Sequence, residues 1–416
     1  MLVLYSFALL LVLVVGAPYW LLRMATSGKY REGLGERLGR VPRRLRAGER
    51  VIWVHAVSVG EVLAASRLIG ELEARSGSRV MISTTTRTGQ RLARERFGED
   101  RVFYFPLDFA FAVRAYLRAL RPQMVVLLET EFWPRMLTEC RRARVPVAVV
   151  NARISDRSWP RYLRLRFLWR RLLNGFAVVL AQTETDAERL RALGASNVRV
   201  GGNLKYDIRV AKPAAVTEAL RAQIAAGTKV VVCGSTLEGE EDLLVEVMPE
   251  DVVMVLAPRH PERFAAVAVM LEERGVRHVR RTQWMEAPAP LDAGVVVLLD
   301  SIGELASVYS LATVAVVGGG FFVPGGHNPL EPAQFGVPVV MGLHYENFRG
   351  IVDELKAEYA VVLAEPAALA SDLRVLLDNS EKASAMGARA KAVFEREAGA
   401  TERAVDALMA LLERRA

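Results

Sequence analysis

The segment HAVSVGEV, His55 to Val62, sets a carboxylate three residues after a serine, directly behind a run of apolar residues. Ser58-x-x-Glu61 fits a capping box, in which the two side chains satisfy free N–H groups at a helix start. The same Glu61, standing where a strand opens into a loop, can instead take a proton from an attacking hydroxyl, worth about a hundredfold to ten-thousandfold in rate. A second acidic site follows another apolar run: LETEFWP carries Glu129 and Glu131, and carboxylates ending a buried strand are costly unless paired or put to use. Either can orient or tune Glu61, so Glu61, Glu129 and Glu131 are the catalytic candidates. Ser58 and Gly60, Thr85 of ISTTTRTG and Arg153 of NARISDRS have the types suited to an anionic, hydroxylated acceptor. By charge alone, Arg157 and Lys205 join Arg153 as candidates for anionic groups.

The second half of the chain repeats one device: an apolar run, a turn, a helix start. It occurs at STLEGEED (Ser235 to Asp242), PRHPERF (Pro258 to Phe264), SIGELASVY (Ser301 to Tyr309) and GGGFFVPGGHNPLEP (Gly318 to Pro332). Helix N-termini carry free N–H groups and about half a positive charge, which suits a phosphate. Plain capping by Ser235 or Ser301 explains each loop singly. Four together favour a nucleotide, with Arg259 adding a charge, Asn328 at the phosphate end and Glu331 accepting the ribose hydroxyls. Gly318 to Gly320 let backbone approach a ligand, and Gly326 frees the turn before His327, which either donates to phosphate or holds the loop. Ser235 and Thr236 complete this set.

These residues need strands to position them. Ten short apolar runs alternate with helical stretches: VIWVHAV, RVMISTT, MVVLLET, VPVAVVN and AVVLAQT, then KVVVCGS, DVVMVLAP, GVVVLLD, TVAVVGG and VPVVMG. Runs this apolar suit strands covered on both faces, hence parallel sheets in two α/β, Rossmann-like domains. The boundary is expected near Lys212 to Ala215, separating domains 23–211 and 212–416. Ligands then collect beyond the carboxyl ends of the strands. Neither a G-x-x-x-x-G-K-[ST] nor a strand-to-helix G-x-G-x-x-G is present, which removes the P-loop and dinucleotide classes.

Composition narrows the rest. Among 416 residues there are two cysteines and five scattered histidines, so neither a disulfide framework nor a metal site is expected. The formal charge of +8 lacks interleaved stacking aromatics, which argues against nucleic acid. Residues 1–22 contain the uncharged run Leu2 to Leu22, close to the roughly 20 residues that span a bilayer, and read as a membrane anchor helix. The basic residues behind it leave the remaining domains in the cytoplasm, on the inner membrane. From Arg23 to Arg50 nine Lys or Arg face three Glu, an excess that an anionic lipid surface attracts.

HAVSVGE, STTTRTG, LETEFWP, NARISDRS, AQTETD, GNLKYD, GSTLEGEE, PRHPERF, GELASVY and GGHNPLEP occur in an order that resembles the 3-deoxy-D-manno-octulosonic acid (Kdo) transferases of lipopolysaccharide and lipid A biosynthesis. The resemblance runs from the first residues to about Arg349. It implies a metal-independent glycosyltransferase of the GT-B type, two Rossmann-like domains facing across a cleft, without a cofactor. It implies CMP-Kdo as donor and the lipid A precursor lipid IVA as acceptor. It places the proton acceptor on Glu61 and the CMP contacts on Arg259, His260, Ile302, Gly303, Glu304, Asn328, Pro329, Leu330 and Glu331. Ile302 stands where the family more often has another residue, so backbone or packing is its expected contribution. Two rivals use the same loops: a nucleotide-sugar epimerase of similar fold, and a membrane-tethered nucleotide-binding protein that leaves Glu61 without a task.

Overall fold

The apolar runs become strands because their alternate residues are claimed by two different cores. In β1 (Val51–His55), Val51 and Trp53 enter one hydrophobic cluster while Ile52 and Val54 enter another on the opposite face. The computed structural model describes residues 2–27, 31–42, 50–210 and 212–414. It contains two units, one formed by residues 1–208 and 398–416 and the other by residues 209–397. Ala211, at the expected boundary, and Lys29, Arg43, Arg44 and Arg46 of the basic stretch lie outside the described residues.

The first unit holds a seven-stranded parallel sheet. Its strands are β1, β2 (Arg79–Thr84), β3 (Val102–Tyr104), β4 (Met124–Leu128), β5 (Val147–Ala152), β6 (Val178–Ala181) and β7 (Val198–Val200), in the order β3-β2-β1-β4-β5-β6-β7. The second unit repeats the plan with β8 (Lys229–Thr236), β9 (Val252–Pro258), β10 (His278–Arg280), β11 (Val296–Leu298), β12 (Val314–Val317), β13 (Val339–Met341) and β14 (Val361–Leu363). Their order is β10-β11-β9-β8-β12-β13-β14. The chain reverses its direction of sheet building between β1 and β4 in one unit and between β8 and β12 in the other. In doubly wound sheets, ligands bind outside the carboxyl ends at such points.

The expected division at 211/212 differs in two respects: the units part between Ile208 and Arg209, and the end of the chain does not stay with the second unit. Residues 398–416 return to the first unit, where Ala400, Ala404, Val405 and Leu408 of the helix Ala400–Glu413 join Ala64, Ala65 and Leu68 of the helix Val59–Ser76 in one core. Asp207 fixes that return by accepting the N–H groups of Gly399 at 2.6 Å and Thr401 at 2.5 Å. The apolar run at the start forms the helix Leu2–Ser27, with Pro18 inside it. Contrary to the expected span, no helix among the described residues is long and apolar enough to cross a membrane. Near its start, Tyr5 hydrogen-bonds Asp108, and Ser6 Oγ accepts Arg135 Nε at 2.7 Å.

Candidate active site

In the first unit the switch point gathers the acidic residues. Ser58 is the N-cap of Val59–Ser76 but makes no capping bond through its side chain to the helix. Glu61 instead turns back: its Oε2 accepts the N–H of Val57 at 2.8 Å and its Oε1 accepts the Ser58 hydroxyl at 3.0 Å. The carbonyl of Val57 takes the N–H groups of Thr85 and Thr86 and the Thr86 hydroxyl, which ties this loop to the end of β2. Gly89 permits that approach, because a β-carbon there would stand 2.8 Å from Thr86 Oγ1 and 3.2 Å from Val57 O.

Glu61 is largely buried, and burial raises its pKa to about 7; the negative charge of Glu129 adds to this, while the Val57 and Ser58 bonds oppose it. Glu129 sits at the end of β4 with φ at 54°, a left-handed conformation that costs a non-glycine residue of order 1 kcal/mol or more. Glu131 is likewise pushed up by burial and by Glu129, and is held by Trp133 Nε1 at 2.8 Å. Burial also lowers Lys205, against the pull of Glu129 and Glu61 and with the push of Arg153. Glu61, Glu129, Glu131, Arg153 and Lys205 thus share one electrostatic neighbourhood, whereas Arg157 is exposed on a turn.

His55, which carried no assignment, is fully buried beside this group. It stacks on Phe105 at 3.9 Å between ring centroids, bonds Ser83 through Nδ1, and places Nε2 3.9 Å from Glu131 Oε2. Burial depresses its pKa to about 3, so the ring is neutral. Its position in HAVSVGEV was the available signal, masked by its apolar neighbours.

Replacing Glu129 by Gln removes the charge that adds to the elevation of Glu61. If Glu61 is the base, the acidic limb of the pH profile of kcat/KM, expected near 7, moves to lower pH in Glu129→Gln, because less proton affinity remains to be overcome. A profile that keeps its midpoint in the variant separates the two carboxylates.

In the second unit the same construction surrounds the switch between β8 and β12. Ser235, next to last in β8, has φ at 58°. Thr236, expected at a ligand, is fully buried and donates its hydroxyl to Glu241 Oε1 at 3.0 Å, and Leu330 is 1% exposed, so both side chains belong to the interior. Ile302 is 65% exposed beside Gly303, while Glu304 is bound by Arg281 and by the Ser301 hydroxyl. Arg259 and His260 are exposed at the end of β9. Asn328 Oδ1 accepts the N–H of Leu330 at 3.2 Å, and its side chain bonds Glu331. Burial raises the Glu331 pKa, opposed by Asn328 and by Arg259. Burial, with the charges of Arg259 and His260, lowers His327 to about 4, and its Nε2 is buried without a protein partner.

Two expectations for the glycine-rich loop change. The helix that begins with Glu331's turn, Leu330–Ala333, is four residues long, too short to carry a full helix dipole. The N–H groups of Gly319, Gly320 and Phe321 are not open to a ligand, because the buried carboxylate of Glu240 accepts all three. No group of three His, Cys, Asp or Glu side chains able to hold a metal ion occurs among the described residues.

Two doubly wound parallel sheets, each with polar residues at its switch point, define the chain as a two-domain α/β protein with a fold of the GT-B type. The UDP-GlcNAc 2-epimerase from Neisseria meningitidis bound to UDP-GlcNAc is similar at a TM-score of 0.56, over 86% of this chain and 99% of that one. Acinetobacter baumannii MurG is similar at 0.51, over 86% and 98%. At 14% identity these likenesses show the fold alone. The sequence goes further: residues 32–208 match the family described as 3-deoxy-D-manno-octulosonic-acid transferase (kdotransferase). The chain is 35% identical over 411 residues to the 3-deoxy-D-manno-octulosonic acid transferase of Bordetella pertussis, covering 94% of each. It is 31% identical over 402 residues to that of Haemophilus influenzae, covering 93% of each. The chain belongs to the Kdo transferase family of lipopolysaccharide biosynthesis.

Proposed function

We propose that this chain transfers Kdo from CMP-Kdo to a sugar hydroxyl of lipid IVA, with Glu61 as the proton acceptor. The observation that carries the role of Glu61 is its combination of place and proton affinity: a carboxylate at the switch point whose pKa lies near 7. A general base works best with a pKa near the operating pH. As the hydroxyl oxygen bonds to the anomeric carbon of Kdo, its proton passes to Glu61. The bond from that carbon to the phosphate oxygen breaks, and CMP departs with the electron pair. Arg259 and Asn328 stabilise the departing phosphate, Glu331 holds the ribose end, and neutral His327 faces the donor. Arg153, Lys205 and Thr85 face the acceptor. This scheme calls on neither metal nor cofactor, since a carboxylate is the base and Arg259 answers the negative charge that gathers on the departing cytidylate.

Mass spectrometry of lipid IVA incubated with CMP-Kdo and the purified protein tests the whole proposal. A product heavier by one or more Kdo units is expected; CMP release with unmodified lipid IVA overturns it. Removing the half-buried Glu331 carboxylate by Glu331→Ala is expected to weaken CMP binding by about 1 to 3 kcal/mol in calorimetry. Unchanged affinity returns Glu331 to its bond with Asn328.

For the helix Leu2–Ser27 we propose attachment in the plane of the cytoplasmic face of the inner membrane. Leu4, Phe7, Leu11, Val15 and Leu22 are exposed along it, while Tyr5 and Ser6 near one end and the continuing chain at the other connect to the same unit. A crossing helix would put those ends on opposite sides of the bilayer. Anionic lipid attracts the basic residues that follow. Leu11→Glu with Val15→Glu is expected to abolish flotation with anionic vesicles while leaving the fold intact, and undiminished flotation removes the helix from this task.

A further inference from the structure

An acidic residue in a helix's first turn ordinarily sits in water and complements the dipole. Glu240, at the start of the helix Glu240–Val247, is 1% exposed and directed at the end of β12. Its two oxygens accept the N–H of Gly319 at 2.9 and 2.7 Å. Oε1 also accepts those of Gly320 and Phe321, each at 3.0 Å, and Oε2 that of Leu237 at 2.9 Å.

Gly319 connects this anchor to His327 in two ways. Its carbonyl accepts the N–H of Gly326 at 2.7 Å, the residue before His327. Its bare α-carbon, at a φ of 79°, lies against the imidazole, where a β-carbon would stand 2.4 Å from Cδ2 and 2.6 Å from Nε2. The ring therefore rests on a glycine whose N–H and C=O are both committed. The buried Nε2 has no protein partner, and the ring stands within the electrostatic reach of Arg259 and His260.

We infer that Glu240 is a positioning residue for the donor site: by holding Gly319 to Phe321 it sets the backbone against which the His327 ring is aimed. The carboxylate touches no substrate itself. The inference deepens the proposed function and takes the identity of the donor from it. A buried carboxylate answered by several backbone N–H groups is a strong and directional anchor. Glutamine keeps the volume but turns an amide NH2 toward N–H groups that need acceptors.

The test compares Glu240→Gln, His327→Ala and the double variant in the full-length protein. Each single change is expected to lower kcat/KM for CMP-Kdo by about tenfold or more, and the double variant to be no more than about threefold worse than the poorer single, as for residues acting through one another. Multiplying effects overturn the inference. If Glu240→Gln does not fold, Glu240→Asp takes its place, since it keeps the charge and withdraws the carboxylate from the N–H groups of Gly319, Gly320 and Phe321. A substrate-free readout is the NMR titration of the His327 ring. Its midpoint is expected near 4 in the wild type and to move up in Glu240→Gln as the ring loses its buried setting, with Arg259 and His260 still holding it below the ordinary value. An unmoved midpoint overturns the inference. A wild-type protein that makes no Kdo-lipid overturns the proposed function and leaves the titration to decide the positioning.

Discussion

Glu61→Gln is expected to abolish Kdo transfer and, at pH 8, to make the protein harder to unfold. The activity loss follows from removal of the proton acceptor, on the order of a hundredfold to ten-thousandfold. The gain in stability follows from linkage. Glu61 has its pKa raised from 4.5 to about 7, so the folded state holds a proton that the unfolded chain has released throughout that interval. Stability consequently falls as pH rises from about 4.5 to 7, and above 7 the charged, buried carboxylate carries its full penalty. At about 1.4 kcal/mol per unit, discounted for partial solvation, removing it returns about 1 to 3 kcal/mol at pH 8 and almost nothing at pH 4. Gln can still accept the Val57 N–H, and the Ser58 hydroxyl can rotate to accept from its amide. Urea unfolding at the two pH values checks the sign, and the transfer assay checks the role. A variant no more stable than the wild type at pH 8 refutes the buried-charge account, and normal turnover removes Glu61 from the base position.

Truncation after Glu397 is expected to have the largest effect on folding. The helix Ala400–Glu413 contributes fully buried Val405 and Leu408 to the core of the first unit, each worth about 1.5 to 3 kcal/mol. It also covers Ala64, Ala65 and Leu68, and its start is held by Asp207. A loss of about 5 kcal/mol is comparable with the entire stability of many domains, about 5 to 15 kcal/mol. Far-UV circular dichroism during urea unfolding should show the first unit opening separately and early. Asp207→Ala, which removes the cap and leaves the apolar face, is expected to lose only about 1 to 2 kcal/mol. A truncated chain that unfolds with the wild type would show that the returning helix adds nothing to that core.

The ten inner strands were legible because each is an uninterrupted apolar run, a consequence of burial on both faces. The outermost strands were not. β3, β7, β10 and β14 are each three residues long and stand at the edges of the two sheets, where a strand has one neighbour and needs little apolar pattern of its own. Glu61, Glu129, Glu331 and Asn328 were legible for a related reason: each follows a recognisable run, and loops behind strand ends are where a doubly wound sheet puts its ligands.

What the chain determines by itself is therefore local and periodic: two parallel α/β sheets, the family motifs and the loops that carry candidate chemistry. Only the tertiary structure decided which of those loops share a switch point, that His55 lies against Glu131, and that Thr236 and Leu330 face inward. It decided also that the last helix belongs to the first unit and that the glycine-loop N–H groups answer to Glu240 rather than to a ligand. The physical reason is the same throughout. Backbone period and turn chemistry are set by residues a few positions apart, whereas burial, proton affinity and the partner of a free N–H depend on segments up to some two hundred residues away, such as Asp207 on Thr401 and Glu240 on Phe321.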